Sequence, residues 1–333
     1  FDNVKGSSIP VAINVFGTIF RSDEKHLFVS LWYLLLAVSC TLLNFIMANT
    51  LVAYVVPGAP GAALAGLWIH NAVGMWITPI GTAIVYYFLS VILQKPIYSH
   101  SLSLIGFWSL ALLYPLGGTH HYFFSPIPMW TQVLASAFSI ALFATVVTVV
   151  VNVFGTLSGR WHWITSHIPL RFLIFGLFGY MLTCTQGPFQ SILETQAVLH
   201  FTDWVVAHSH LALLGAFSFF TFAAIYHVWP QVTGRPLRSR RLGEWHFWLT
   251  LVGFYLLYFL PDTAAGLMQG FMWLEGLPLV ESLLAAQPYW VTRAIAGVII
   301  LAGQACFFLN LTGRAPGEAR PPAVGAHDLE VAP

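Results

Sequence analysis

Eight long apolar stretches constrain this chain more than any other feature; they run over roughly 27–49, 64–92, 101–117, 129–153, 170–189, 204–228, 245–270 and 290–312. About 20 apolar residues in helical form cross the hydrocarbon core of a bilayer. Inside hydrocarbon every backbone amide must find its partner within the chain, which leaves helices as the form that runs of this length can take. Charged residues make up only 8% of the 333 residues and apolar ones 58%, whereas soluble domains carry about 25% charged residues. The expected fold class is therefore all-α: a polytopic membrane bundle of about eight transmembrane helices. Residues 1–25 are mixed in character and are expected at the membrane surface or outside it, 26–312 form the membrane domain, and 313–333, rich in Pro, Ala and Gly, read as a disordered tail.

Basic residues orient the spans, because Lys and Arg concentrate on the cytoplasmic side. With eight spans, twelve of the 13 fall on one side: Lys5, Arg21, Lys25, Lys95, Arg160, Arg171, Arg235, Arg238, Arg240, Arg241, Arg314 and Arg320. Arg293 is the exception. The alternation supports the count, places both ends in the cytoplasm and fits a bacterial inner membrane. A net charge of +1 with no basic stripe gives no reason to expect nucleic acid. Cys40, Cys184 and Cys306 lie far apart inside apolar segments and read as small apolar packing residues rather than a disulfide framework. No signal peptide is legible in the first 25 residues.

The histidines carry the chemistry. His208 and His210 lie in the sixth apolar stretch, in Ala-His-Ser-His. A helix turns about 100° per residue, so positions two apart leave it about 200° apart. These imidazoles cannot chelate one ion, but each can hold a separate flat cofactor on its own side of the helix. His70 lies in the outer part of the second span, and His120 and His121 follow the third on the outer side. Five histidines from three segments thus share one depth. A single intramembrane His is as readily a packing residue, but five at one level point to metal, and three imidazoles without carboxylate or thiolate suit copper. Tyr114, six residues before His120, reads either as an interfacial anchor or as a phenol that supplies a proton and an electron.

With these residues assembled, the chain resembles the catalytic subunit of the haem–copper oxidases, most closely the C-type, cbb3-type family. The resemblance rests on Trp68–Gly74 (Trp-Ile-His-Asn-Ala-Val-Gly), Tyr114–His121, His200–His210, Met268–Trp273 and Val280–Arg293. It implies a copper on His70, His120 and His121, a high-spin haem on His208 and a low-spin haem on His210, with both haems of b type. It implies that Tyr114 is redox-active, and that His200, Thr202, Asp203 and Arg293 lie near the haem propionates. Asp203 has a second reading, as the N-cap of the sixth helix. Expected partners are a c-type cytochrome subunit as electron donor, the lipid bilayer and dioxygen. Ser103 and Tyr86 are the expected stations for proton entry.

Two departures from that family stand out. Its subunit has twelve spans, and the second axial histidine of its low-spin haem lies in a span without a counterpart here, so a further membrane subunit or an N-terminal part has to supply it. Gln186 stands where the family has a glutamate, and an amide does not ionise. The alternative chemistry is nitric oxide reduction at haem and non-haem iron. That chemistry adds a carboxylate four residues after the first histidine, where this chain has Gly74. A non-catalytic haem-binding membrane subunit explains the apolar spans but not three convergent histidines beside a tyrosine.

Overall fold

The computed structural model describes residues 2–23 and 26–312; the expected tail lies outside the described residues. Among these, helix dominates and no strand occurs. Eight helices are long and apolar enough to cross a membrane: Val29–Val52, Gly58–Leu93, His100–Tyr122, Met129–Leu157, Ile168–Gln190, Asp203–Thr233, Arg240–Leu274 and Leu279–Thr312. The chain is thus a multi-pass membrane protein. A further helix, Asp2–Arg21, precedes them.

The ends of the spans differ from expectation in physical detail. The eighth begins at Leu279 rather than near 290, because Pro288 is accommodated inside the helix. The helix carries on past the proline, and Thr292 Oγ1 donates back to Pro288 O at 3.0 Å. The third does not stop near 117. Its α-helix ends at Leu113, and the backbone continues as two short 3₁₀ turns, Tyr114–Leu116 and Gly118–Tyr122. His120 and His121 therefore belong to the outer end of that span rather than to a loop beyond it. The sixth is capped by Thr202, whose Oγ1 accepts from Trp204 N at 3.3 Å, so the N-cap falls one residue before Asp203.

One core joins the spans. Tyr33 of the first, Tyr86 and Leu89 of the second, Phe107 and Leu110 of the third, Val149 and Leu157 of the fourth, Phe172 and Leu177 of the fifth, Phe219 and Phe220 of the sixth and Phe247 of the seventh pack together. The eighth pairs mainly with the seventh. π-Helical turns interrupt the sixth span at Leu211–Ser218, directly after the two histidines, and the seventh at Val252–Phe259. Such turns leave a carbonyl in need of a donor. Tyr255 meets it: its Oη donates to Gly215 O at 2.9 Å, tying the two interruptions together. At the other end of the bundle Arg171 of the fifth span pairs with Glu244 of the seventh. Cys40, Cys184 and Cys306 are unpaired and half-buried; Cys184 lines the cavity described next.

Candidate functional site

The second span and the 3₁₀ segment after the third lie flat against one another, and three imidazoles that could hold a metal meet where they touch. Small residues allow the approach: a Cβ on Gly118 would stand 2.6 Å from Leu67 Cα and 2.9 Å from Gly66 O. His70, His120 and His121 bring one nitrogen each within 4.8 Å of the others. Nδ1 of His70 is 3.3 Å from Nε2 of His121, and Nε2 of His120 is 3.2 Å from the same atom. Imidazoles bound to a first-row metal at about 2.0–2.1 Å have tetrahedral edges of roughly 3.3–3.4 Å. Two of the three edges match that length, and all three nitrogens lie within 4.8 Å of one another.

The hydrogen bonds behind the ligands fix which nitrogen points inward. Nε2–H of His70 donates to the carbonyl of Tyr114 at 3.0 Å, which leaves Nδ1 as the lone-pair atom. Ser139 donates its own hydrogen to Ala135 O at 2.8 Å and therefore accepts from Nδ1–H of His120 at 2.7 Å, leaving Nε2 of His120 free. This is the outer-sphere support that metal-binding histidines characteristically have. Ser139, on the fourth span, carries no signature in sequence.

A cavity of about 360 Å³ opens beside these nitrogens, lined by His70, Tyr114, His120, His121, Cys184 and His208 among others. His208 enters it from the sixth span. Its Nδ1–H donates to Gln186 Oε1 at 3.3 Å, so Nε2 is free. His210 leaves the other side of the same helix, does not line the cavity, and donates Nδ1–H to Val206 O at 2.9 Å; its ring lies against Tyr258, with centroids 5.0 Å apart. The divergence expected from helical spacing is thus present, and each imidazole offers one nitrogen to a different compartment. The phenol ring of Tyr114 stacks on His70 with centroids 4.2 Å apart and planes 21° apart.

The residues expected near propionates divide into two groups. Asp203 and Arg293 come together at 3.8 Å, and the structure adds Asp262, fully buried, which accepts from Arg293 Nη1 at 3.1 Å. Asp203 also accepts from Trp290 Nε1 at 2.8 Å and Gln269 Nε2 at 3.0 Å. Asp262 lies outside the stretches that carry the resemblance; Gln269 and Trp290 lie within them, but their partners are distant in sequence and give them no role there. Thr202 serves as the helix cap described above. His200 sits apart, accepting from Gln196 Nε2 at 3.2 Å with its ring against Phe201. Burial holds its pKa below the usual histidine value.

Ser103 and Tyr86 are both buried and meet at a third residue. Asn152 Nδ2 donates to Ser103 Oγ at 3.1 Å and to Tyr86 Oη at 3.4 Å, and Asn152 Oδ1 accepts from Ser99 N at 2.9 Å. Two helical turns further along the fourth span, Thr145 Oγ1 lies 2.7 Å from Ser109 Oγ and lines the cavity. Asn152, Thr148 and Thr145 share one helix face. They form a polar thread through an apolar core; near Gly106, which Thr148 also approaches, the fully buried Tyr33 hydroxyl finds no partner among the described residues.

A family model described as cytochrome C and quinol oxidase polypeptide I matches residues 4–299. The chain belongs to this family. It is 34% identical over 328 residues to the cbb3-type cytochrome c oxidase subunit CcoN1 of Stutzerimonas stutzeri, covering 94% of this chain and 69% of that protein. It is 33% identical over 321 residues to a cytochrome c oxidase subunit 1 homolog of Agrobacterium tumefaciens, covering 91% and 59%. A bacteroid homolog from Bradyrhizobium diazoefficiens is 34% identical over 311 residues, covering 88% and 56%. The fold matches that of a heme-copper terminal oxidase dimer solved by cryo-EM, with a TM-score of 0.71 at 15% identity over 88% of this chain and 57% of that one. The chain therefore spans between 56% and 69% of the length of these proteins.

Proposed function

We propose that this chain is the oxygen-reducing part of a cbb3-type cytochrome c oxidase, turning dioxygen into water at a high-spin haem facing a copper. The observation that carries this reading is the meeting of three imidazole lone pairs at metal-ligand spacing with a tyrosine stacked on one of them. His70, His120 and His121 hold the copper, His208 the haem iron that faces it, and His210 the low-spin haem iron on the opposite side of the helix. When bound, these groups would supply the electrons that reduce dioxygen. Tyr114 adds one hydrogen atom, as proton and electron, from the cavity wall. Asp203, Arg293 and, nearby, His200 and Thr202 form the polar edge that faces the propionates.

Protons enter from the cytoplasmic side along Ser103, Tyr86 and Asn152 toward Thr145, while apolar walls keep bulk water out. A c-type cytochrome would deliver electrons, and a further subunit or N-terminal part would supply the low-spin haem's other ligand. Both ends of the described span bundle face the cytoplasm, with the helix Asp2–Arg21 at the membrane surface. Nitric oxide reduction fits less well. Gly74 offers no ligand, Gln186 offers no carboxylate, and a phenol stands in the site.

Metal analysis of the purified complex tests this reading. About one copper and two haem irons per polypeptide, with oxygen uptake driven by a reduced c-type cytochrome, is the expected result. A third iron in place of copper would transfer the site to nitric oxide chemistry, and absence of stoichiometric copper and of any third iron would leave a non-catalytic haem subunit.

A further inference from the structure

Gly74 lies one helical turn after His70 on the same face of the second span, in the wall of the cavity. Glycine weakens a helix interior relative to alanine, so its place there calls for a reason. The reason is steric. A Cβ built on Gly74 would overlap Oη, Cζ and Cε1 of Tyr114. The phenol ring stacks on the His70 imidazole, and its Cε1–Cζ–Oη end lies where a side chain at position 74 would stand. The first residue of that ring's own 3₁₀ turn is also held in place, since His70 donates to its carbonyl.

We propose that Gly74 is the specificity-determining position of this metal site: its missing side chain is what seats the Tyr114 phenol beside His70. The phenol and any side chain at position 74 exclude one another. A fourth protein ligand from this helix turn therefore cannot coexist with Tyr114, and the site stays three imidazoles with an open position. A methyl group at 74 drives the ring sideways into the cavity, the direction in which it is not packed. Gly74 is a positioning residue, since it acts through Tyr114. The inference rests on reading the three histidines as the copper site.

The test uses the purified membrane complex in four forms: parent, Gly74→Ala, Tyr114→Ala and the double variant. Oxygen uptake, copper and haem content, and Tm are read for each. Displacing a reacting group by about 1 Å costs on the order of a hundredfold in rate. Gly74→Ala is therefore expected to lose about a hundredfold in oxygen uptake while keeping copper and haem, and to lower Tm in the parent but not in the Tyr114→Ala background. If Gly74→Ala fails to assemble, adding Tyr114→Ala is expected to restore assembly. Parental turnover and Tm in Gly74→Ala, equal losses of Tm in both backgrounds, or no restoration on removing the ring would each overturn the proposal. A parent that does not reduce oxygen would sink the functional reading alone, because the coupling between positions 74 and 114 in Tm is read without turnover.

Discussion

Gln186 Oε1 lies 3.3 Å from Nδ1 of His208, so the imidazole proposed to hold the high-spin haem rests on a neutral amide rather than an anion. Hydrogen bonds to an ionised acceptor are roughly twice as strong as neutral ones, and the partner of a ligating histidine sets its basicity. A carboxylate at this position would push electron density toward the iron and favour its oxidised state. Gln186→Glu is therefore expected to lower the midpoint potential of that haem by something on the order of tens of millivolts. A redox titration of the purified complex measures it; an unchanged potential would mean that Gln186 does not set the basicity of His208.

Copper retention depends on more than its ligands. His120 keeps its inward lone pair because Ser139, already donating to Ala135, can only accept from Nδ1. Losing such a support typically costs about 10–100-fold in metal affinity. Ser139→Ala is expected to keep both haems but to lose copper to a chelator at lower concentration than the parent, whereas His121→Ala is expected to hold none. Equal chelator resistance in Ser139→Ala and the parent would count against the hydrogen bond as a copper determinant.

The proposed proton route runs past Asn152, which bridges Ser103, Tyr86 and the backbone of Ser99. Asn152→Leu removes those bridges, while Ser103 keeps its own bond to Ser99 O at 3.1 Å, and it costs about 1–3 kcal/mol for each buried polar group stranded. Slow turnover with normal haem and copper content is expected, and the rate of proton uptake after a flash or a rapid mix should fall with it. Proton uptake at parental rate in a correctly loaded variant would remove the thread from the mechanism.

Acid pH should act through His200. Burial lowers its folded pKa below the unfolded value of about 6.5, so the neutral form is favoured by folding. Its contribution to stability is complete above the unfolded pKa and is lost as pH falls through the lowered folded one. Tm is therefore expected to drop on acidification below about pH 6.5, and His200→Gln should flatten that drop. An identical pH dependence in the variant would assign the loss to other groups.

Much of this was legible before any coordinates, for reasons tied to individual residues. His208 and His210 diverge because helical geometry leaves no alternative, and the His70, His120 and His121 set follows from depth once the spans are counted. Expectation failed where a local rule met a tertiary answer. The eighth apolar stretch was counted from 290, yet its helix begins at Leu279 and runs through Pro288. Asp203 reads as an N-cap, yet Thr202 takes that place and frees Asp203 for Trp290 and Gln269. Ser139, Asn152 and Asp262 were invisible because an isolated polar residue in an apolar run has no signature; each finds its meaning in a partner on another helix, as Asn152 does 49 residues from Ser103.

Asp262 carries the last prediction. Its carboxylate is fully buried and accepts twice from Arg293, at 3.1 and 3.3 Å, while Asp203 stands 3.8 Å from the same guanidinium. Two carboxylates thus hold one cation at the edge where anionic propionates are proposed to lie. Removing one partner of a buried pair typically costs about 3–5 kcal/mol, but Arg293 is partly exposed, which reduces the penalty toward the lower end. Asp262→Ala leaves Arg293 with Asp203 alone and frees part of its charge to pull on a propionate. The expected result is a lower Tm together with an upward shift in haem potential, since a nearby positive charge favours the reduced iron. Asp262→Asn keeps the shape and an acceptor oxygen but removes the charge, so it should shift the potential in the same direction with less loss of Tm. Potentials unchanged in both variants would place this cluster outside the reach of the haems and leave it a strut between the sixth, seventh and eighth spans.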